Sequence, residues 1–149
     1  PSVQVPSQVS REQVLAWIKE GKEAGKNYLI VDVRRSDHTG GFIKGSLNLP
    51  IESLYPSLST VYALAKAAGV TDVIWYCVTS RGRGNRAAAW FSDYLMSRNK
   101  TSIRSAALSE GILGFALAGE QYTQYIDEFV PEAWKAGDAT RHTGQLSTV

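Results

Sequence analysis

Val73-Ile74-Trp75-Tyr76-Cys77-Val78-Thr79-Ser80-Arg81-Gly82-Arg83-Gly84 decides how the chain is read. The first five residues form a β-prone run without polar alternation, the pattern of a strand covered on both faces. Residues 78 to 84 are a turn-forming stretch. Beyond it, residues 87 to 96 read as a helix, with Ala88, Phe91 and Leu95 on one side. Cys77 therefore sits where a buried strand ends and the chain turns into a helix. In open α/β sheets, ligands bind at that carboxyl edge.

The flanking sequence has the same alternating character. Ser10 reads as a helix N-cap with Gln13 as its capping-box partner. Val14, Leu15, Trp17 and Ile18 give the helix an apolar side, and Gly21 and Gly25 offer stops. Residues 28 to 33 form a second β-prone run, followed by a polar loop ending in Gly40-Gly41 and a short strand over 46 to 49. Pro56 starts a helix carrying Leu58, Val61, Leu64, Ala65 and Ala68, which Gly69 closes. A further strand is expected over 102 to 108, with two closing helices over 112 to 117 and 122 to 129. Alternating strands and helices imply crossover connections and a mostly parallel sheet with helices on both faces. The expected organisation is an extended lead-in over 1 to 9, one catalytic domain over 10 to 135 and a mobile tail over 136 to 149.

Composition narrows the function classes. The 149 residues are 44% hydrophobic and 20% charged, a globular balance. Sixteen basic against 14 acidic side chains leave a formal charge of +2. That surplus implies neither a nucleic-acid nor a membrane partner. No apolar run approaches the length of a membrane span, and Pro1 to Ser10 lacks the basic-then-apolar order of a signal peptide. A soluble cytoplasmic or nuclear protein is the expectation. The single cysteine excludes an internal disulfide and a metal site built on several thiolates, and no metal is expected.

The cysteine loop concentrates the chemistry. A tight loop entering a helix can turn successive N–H groups inward as an anion nest, and the helix start adds unpaired donors and positive potential. The six amides of Val78, Thr79, Ser80, Arg81, Gly82 and Arg83 could give a tetrahedral oxyanion two donors per oxygen. Gly82 and Gly84 are expected to supply the φ > 0 conformations of such a wrap, and the planar Arg83 guanidinium can grip two oxygens at once. Arg81, Arg83 and Arg86 lie within nine residues of Cys77, and no acid occurs between Cys77 and Ser92. That field favours a thiolate: loops of this kind lower a cysteine pKa from about 8.5 to about 3.5–7.5. Asp32 and Arg34 border this edge, where an ion pair fixing the loop is the simpler reading. His38 and Asp37 read as loop residues and weak candidates for a catalytic acid, and Asp93 as an exposed helix position. Trp17, Trp75, Tyr76, Trp90 and Trp134 read as packing.

Residues 77 to 86 (Cys-Val-Thr-Ser-Arg-Gly-Arg-Gly-Asn-Arg) resemble the C-x5-R loop of the cell-division-cycle dual-specificity phosphatases and the related eukaryotic arsenate reductases, both of the rhodanese superfamily. Asp32-Val-Arg34 with Gly40-Gly41-Phe42-Ile43-Lys44-Gly45 resembles the superfamily's upstream signature, and Leu108-Ser-Glu-Gly111 its glycine segment after the fourth strand. The likeness spans roughly residues 10 to 120. It implies a three-layer rhodanese-like α/β domain, Cys77 as nucleophile, residues 78 to 83 as anion cradle and Arg83 as transition-state clamp. Asp32, Arg34 and Arg86 would border the site. Seven residues from Cys77 through Arg83 make the longer loop of the phosphate and arsenate enzymes, one more than is usual in sulfurtransferases. Tyr76 and Phe42 stand where the family often has histidine, and the loop holds no carboxylate to serve as general acid.

An arsenate reductase or phosphatase acting on a small oxyanion or a phosphorylated substrate is therefore expected, with no bound cofactor. Arsenate reduction would draw on glutathione or a glutaredoxin-like partner, because no second thiol exists in the chain. Two alternatives stand beside it: a sulfurtransferase forming a persulfide on Cys77, and a non-catalytic phosphate-binding module.

Overall fold

The computed structural model describes residues 6–79, 81–99 and 102–135. Ser80, most of the lead-in and the expected tail over 136 to 149 lie outside the described residues. In chain order the elements are β1 (Ser7–Val9), α1 (Arg11–Lys19), β2 (Tyr28–Asp32), β3 (Phe42–Ile43), β4 (Leu47–Asn48), α2 (Ile51–Leu54), α3 (Leu58–Ala68), β5 (Asp72–Tyr76), α4 (Arg83–Ser97), β6 (Arg104–Leu108), α5 (Gly111–Ala116), α6 (Glu120–Thr123) and β7 (Ile126–Asp127). Five strands form a parallel sheet in the order β1-β6-β5-β2-β4, and β3 pairs antiparallel with β7 in a small second sheet.

Side-chain alternation along β5 sorts the core into two layers. Val73, Trp75 and Cys77 face a cluster built with Leu54, Leu58, Val61, Ala88 and Phe91 from α2, α3 and α4. Ile74 and Tyr76 face the opposite cluster, with Val14, Leu15, Ile112, Phe115 and Tyr122 from α1, α5 and α6. The result is a sheet between two helical layers, as the alternating pattern predicts. The polar atoms of the first layer are paired: Trp75 Nε1 donates to Ser105 Oγ at 3.1 Å, and that hydroxyl donates to the Ala88 carbonyl at 2.8 Å.

Several expectations change in detail. The Ser10 hydroxyl caps α1 by accepting from Gln13 N–H at 3.1 Å. The segment around Pro56 is a 3-10 turn between α2 and α3, since helical structure already begins at Ile51. α4 starts at Arg83, earlier than its apolar periodicity suggests. The helix expected over 122 to 129 is instead a short α6 followed by β7, where pairing with β3 overrides local periodicity. The lead-in is partly built into the sheet: Ser7–Val9 pairs with residues 106–108 of β6.

β2 and β5 lie side by side in parallel register, with Asp32 opposite Tyr76. From β2 the chain runs to β4 on one side, and from β5 to β6 on the other. The loops after β2 and β5 thus diverge at a topological switch point, the position at which open α/β sheets bind ligands. The loop after β2 is set by Arg34. Its guanidinium is fully buried and held by Asp32 through Nε and Nη2 at 2.7–3.0 Å, and it donates to the Thr39 carbonyl at 3.0 Å and the Gly41 carbonyl at 2.8 Å.

Removing one partner of a buried ion pair strands the other charge, at a cost of about 3–5 kcal/mol. Asp32→Asn should therefore lower the unfolding free energy by about 3 kcal/mol in urea titration at neutral pH. A loss below about 1 kcal/mol would show that the two carbonyl contacts suffice for Arg34.

Candidate active site

Cys77 follows directly on β5, and α4 begins six residues later at Arg83. The cysteine is fully buried at the edge of the apolar cluster under α4. Its sulfur accepts the Gly84 backbone N–H at 3.3 Å, a donor from the first turn of the 15-residue α4. Gly84 is needed for closeness: a Cβ there would lie 3.2 Å from Tyr76 Cα and 3.3 Å from Cys77 N. The expectation of positive φ at Gly82 and Gly84 is corrected. Gly82 has φ −138° and Gly84 is helical, so close approach of helix to strand explains Gly84.

The loop is also held from behind. Ile112 N–H donates to the Cys77 carbonyl at 3.1 Å and Leu113 N–H to the Val78 carbonyl at 2.9 Å. These are amides from the start of α5, placed by Gly111 at φ 57°. A Cβ on Gly111 would come within 2.4 Å of the Val78 oxygen and 2.6 Å of the Cys77 oxygen. The loop's own amides are less occupied. The N–H groups of Thr79, Arg81, Gly82 and Arg83 donate to no backbone carbonyl among the described residues. Thr79 Oγ1 and Arg83 Nε are buried and likewise have no partner there.

Arg83 is fully buried, and the two oxygens it grips belong to Asp37 in the loop after β2. Nη1 donates to Oδ1 at 2.9 Å and Nη2 to Oδ2 at 2.5 Å. Burial opposes the Asp37 charge, but the Arg83 hydrogen bonds and charge, aided by the Arg35 backbone N–H, outweigh it. The carboxyl is held below its usual range. Burial likewise opposes the Arg83 charge, and the Asp37 contacts, with the charges of Cys77 and Asp32, raise the guanidinium above its usual value. The sequence marks Asp37 only as a weak acid candidate, because its pairing across 46 positions leaves no local signal.

The remaining candidates separate into distinct roles. Asp32 and Arg34 are 0% exposed and bonded to each other, so they fix the loop and do not line its open side. Arg81 and Arg86 are exposed, Arg86 in the first turn of α4. Val78 is buried and tied to α5, and Ser80 lies outside the described residues. His38 places Nε2 3.4 Å from Asp32 Oδ2 and stacks on Phe42 at 5.9 Å. Tyr76 points away from Cys77 into the other core layer, where its hydroxyl accepts from Ile43 N–H at 3.1 Å and lies 2.8 Å from Ser46 Oγ. Burial, with the Asp32 charge adding to it, pushes the Tyr76 phenol above its ordinary value.

The fold has known counterparts. The chain is similar to a yeast protein tyrosine phosphatase of the rhodanese family, at 22% identity over 90% of this chain and 100% of that one, TM-score 0.69. It is similar to the As-Sb reductase of Leishmania major at 19% identity over 70% and 72% of the two chains, TM-score 0.58. The rhodanese-like domain of an Anabaena protein matches at 22% identity over 87% and 83%, TM-score 0.54. No protein-family model matches the chain, and neither does any curated protein sequence. The chain has the rhodanese-like fold, the resemblance that its cysteine loop and Asp32-Val-Arg34 segment carry.

Gly111→Ala should destabilise the protein by about 2 kcal/mol or more in urea titration, because the added methyl meets two carbonyl oxygens at a left-handed backbone position. An unchanged midpoint would mean that α5 shifts freely away from the cysteine. Acid should also weaken the protein through Asp37. Its folded pKa lies below the unfolded value of about 3.9, so its contribution is complete above about pH 4 and is lost as pH falls through the folded value. Asp37→Asn should flatten the acid limb of a stability–pH profile, leaving the slope due to Asp72, whose carboxyl is lowered by Arg104 against the opposing effect of burial.

Proposed function

We propose that the protein is a cysteine-dependent enzyme acting on tetrahedral oxyanions, of the phosphatase or arsenate reductase type. One observation carries this reading. A fully buried guanidinium with an unpaired Nε–H stands at the start of the helix whose Gly84 amide meets the Cys77 sulfur, and four amides of the connecting loop have no carbonyl acceptor among the described residues. Buried donors without partners are costly unless a ligand meets them, and N–H groups at a helix start are met best by an anion. The two similar structures whose descriptions name a tyrosine phosphatase and an As-Sb reductase are consistent with this chemistry.

In the proposed reaction, the Cys77 thiolate attacks the central atom of an anion held by the loop amides and Arg83. With a phosphate ester, the sulfur–phosphorus bond forms as the ester oxygen leaves and takes a proton from solvent water, and water then hydrolyses the phosphocysteine to inorganic phosphate and the free thiolate. With arsenate, a sulfur–arsenic bond forms as an oxygen leaves as water. A glutathione thiolate then attacks the Cys77 sulfur. The electron pair of the sulfur–arsenic bond passes to arsenic, which leaves as arsenite, and the mixed disulfide is reduced by a further thiol or a glutaredoxin. The donors that steady the bound anion steady the transition state more strongly as charge develops on the equatorial oxygens.

A side-by-side assay tests this reading: a generic aryl phosphate, arsenate with glutathione and glutaredoxin, and thiosulfate with cyanide. The native protein should turn over one or both oxyanion substrates, with thiosulfate the weakest, and Cys77→Ser should lose at least about 10³-fold. Thiosulfate turnover alone would make the protein a sulfurtransferase forming a persulfide on Cys77. No turnover, with Cys77 alkylated as slowly as a free thiol of pKa about 8.5, would leave a phosphate-binding module.

A further inference from the structure

We infer that Asp37 is the positioning residue of the anion clamp: it grips one fork of the Arg83 guanidinium so that the other is presented, already oriented, to the oxyanion. This rests on the reading of Arg83 as the oxyanion's partner given above. A guanidinium has two bidentate edges, one between its two terminal nitrogens and one between Nε and a terminal nitrogen. Asp37 takes the first edge with both carboxylate oxygens, at 2.9 and 2.5 Å. The Nε of the second edge is buried and unpartnered among the described residues. An oxyanion can therefore engage two donors of Arg83 without displacing the carboxylate.

Asp37 is itself held in place, as a positioning residue must be. It is 6% exposed. Its Oδ1 accepts Arg35 N–H at 3.0 Å, and its own carbonyl accepts Thr39 N–H at 3.0 Å. The Thr39 carbonyl is in turn held by Arg34, whose charge is matched by Asp32. The Asp32–Arg34 pair fixes the loop, the loop fixes Asp37, and Asp37 fixes the plane of Arg83. A further consequence concerns selectivity. With its charge already balanced, Arg83 contributes directed N–H groups more than net positive potential, so the site discriminates by the geometry of oxygen atoms.

The alternative is that Asp37 competes with the anion for Arg83, and the two possibilities predict opposite signs. The probe is inorganic phosphate, and the readout is its protection of Cys77, the chain's one cysteine, against iodoacetamide. For Asp37→Asn, positioning predicts a phosphate Kd weakened about tenfold even though a negative charge has been removed. In an Arg83→Lys background, where no second fork exists, Asp37→Asn should cause no further loss, a non-additivity that a general effect on folding would not produce. Asp37→Glu, which keeps the carboxylate, should retain more affinity than Asp37→Asn, and its comparison with the native protein stands alone if Asp37→Asn fails to fold. Equal or tighter phosphate binding in folded Asp37→Asn, tighter binding in Asp37→Glu than in the native protein, or an additive loss in the double variant, would overturn the inference and leave the anion site intact. A native protein unprotected by phosphate would overturn the anion site itself.

Discussion

Two guanidinium groups withdrawn from water, Arg34 and Arg83, govern the carboxyl edge of this sheet. Stripping a guanidinium of its hydration costs several kcal/mol, and only a matched carboxylate with good geometry offsets it. Here both partner aspartates come from the connection after β2: Asp32 at its start pairs with Arg34, and Asp37 at its middle pairs with Arg83 of α4. The first pair closes a local loop. The second joins that loop to the segment after β5, so the two connections are tied by charge as well as by the parallel register of Asp32 and Tyr76.

That arrangement explains how a cysteine in an otherwise apolar cluster can sit next to polar machinery. Val73, Trp75 and Cys77 share the face packed by α2, α3 and α4, and the cysteine is the member of that row nearest the sheet's end. The strand ends one residue before it, and α4 begins close enough for its Gly84 amide to reach the sulfur. The packing that buries the strand and the dipole that faces the sulfur come from the same helix. A single element therefore serves both stability and chemistry. The opposite face is served separately by Tyr76, whose hydroxyl braces the backbone of β3.

What could be read in the sequence follows from the range of the interactions. β2, β5 and the cysteine loop are legible because a buried parallel strand is continuously apolar, and because an arginine-rich turn without acids stands out locally. The Ser10 cap and the Gly69 helix end are legible for the same reason, since both are settled within a few residues. The partner of Arg83 is not, because it lies 46 positions away in a loop whose own residues look ordinary. β7 escaped because Tyr122 to Phe129 has apolar spacing that suits a helix, while an antiparallel partner in β3 decides its conformation. The glycines of the loop were visible but their reason was not: Gly84 is present for contact distance, a quantity that only the packed helix and strand define.

The amides of Ile112 and Leu113 reach across from α5 to take the consecutive carbonyls of Cys77 and Val78. The segment that clamps the main chain of Cys77 thus belongs to the helical layer on the opposite face of the sheet from the one Cys77 packs against. Variation in that segment can retune the reactivity of the sulfur by tilting a peptide plane, with Asp37, Arg83 and the loop between Cys77 and α4 left as they were. In a lineage of such proteins, changes of rate and changes of substrate preference could then be inherited through separate stretches of the chain.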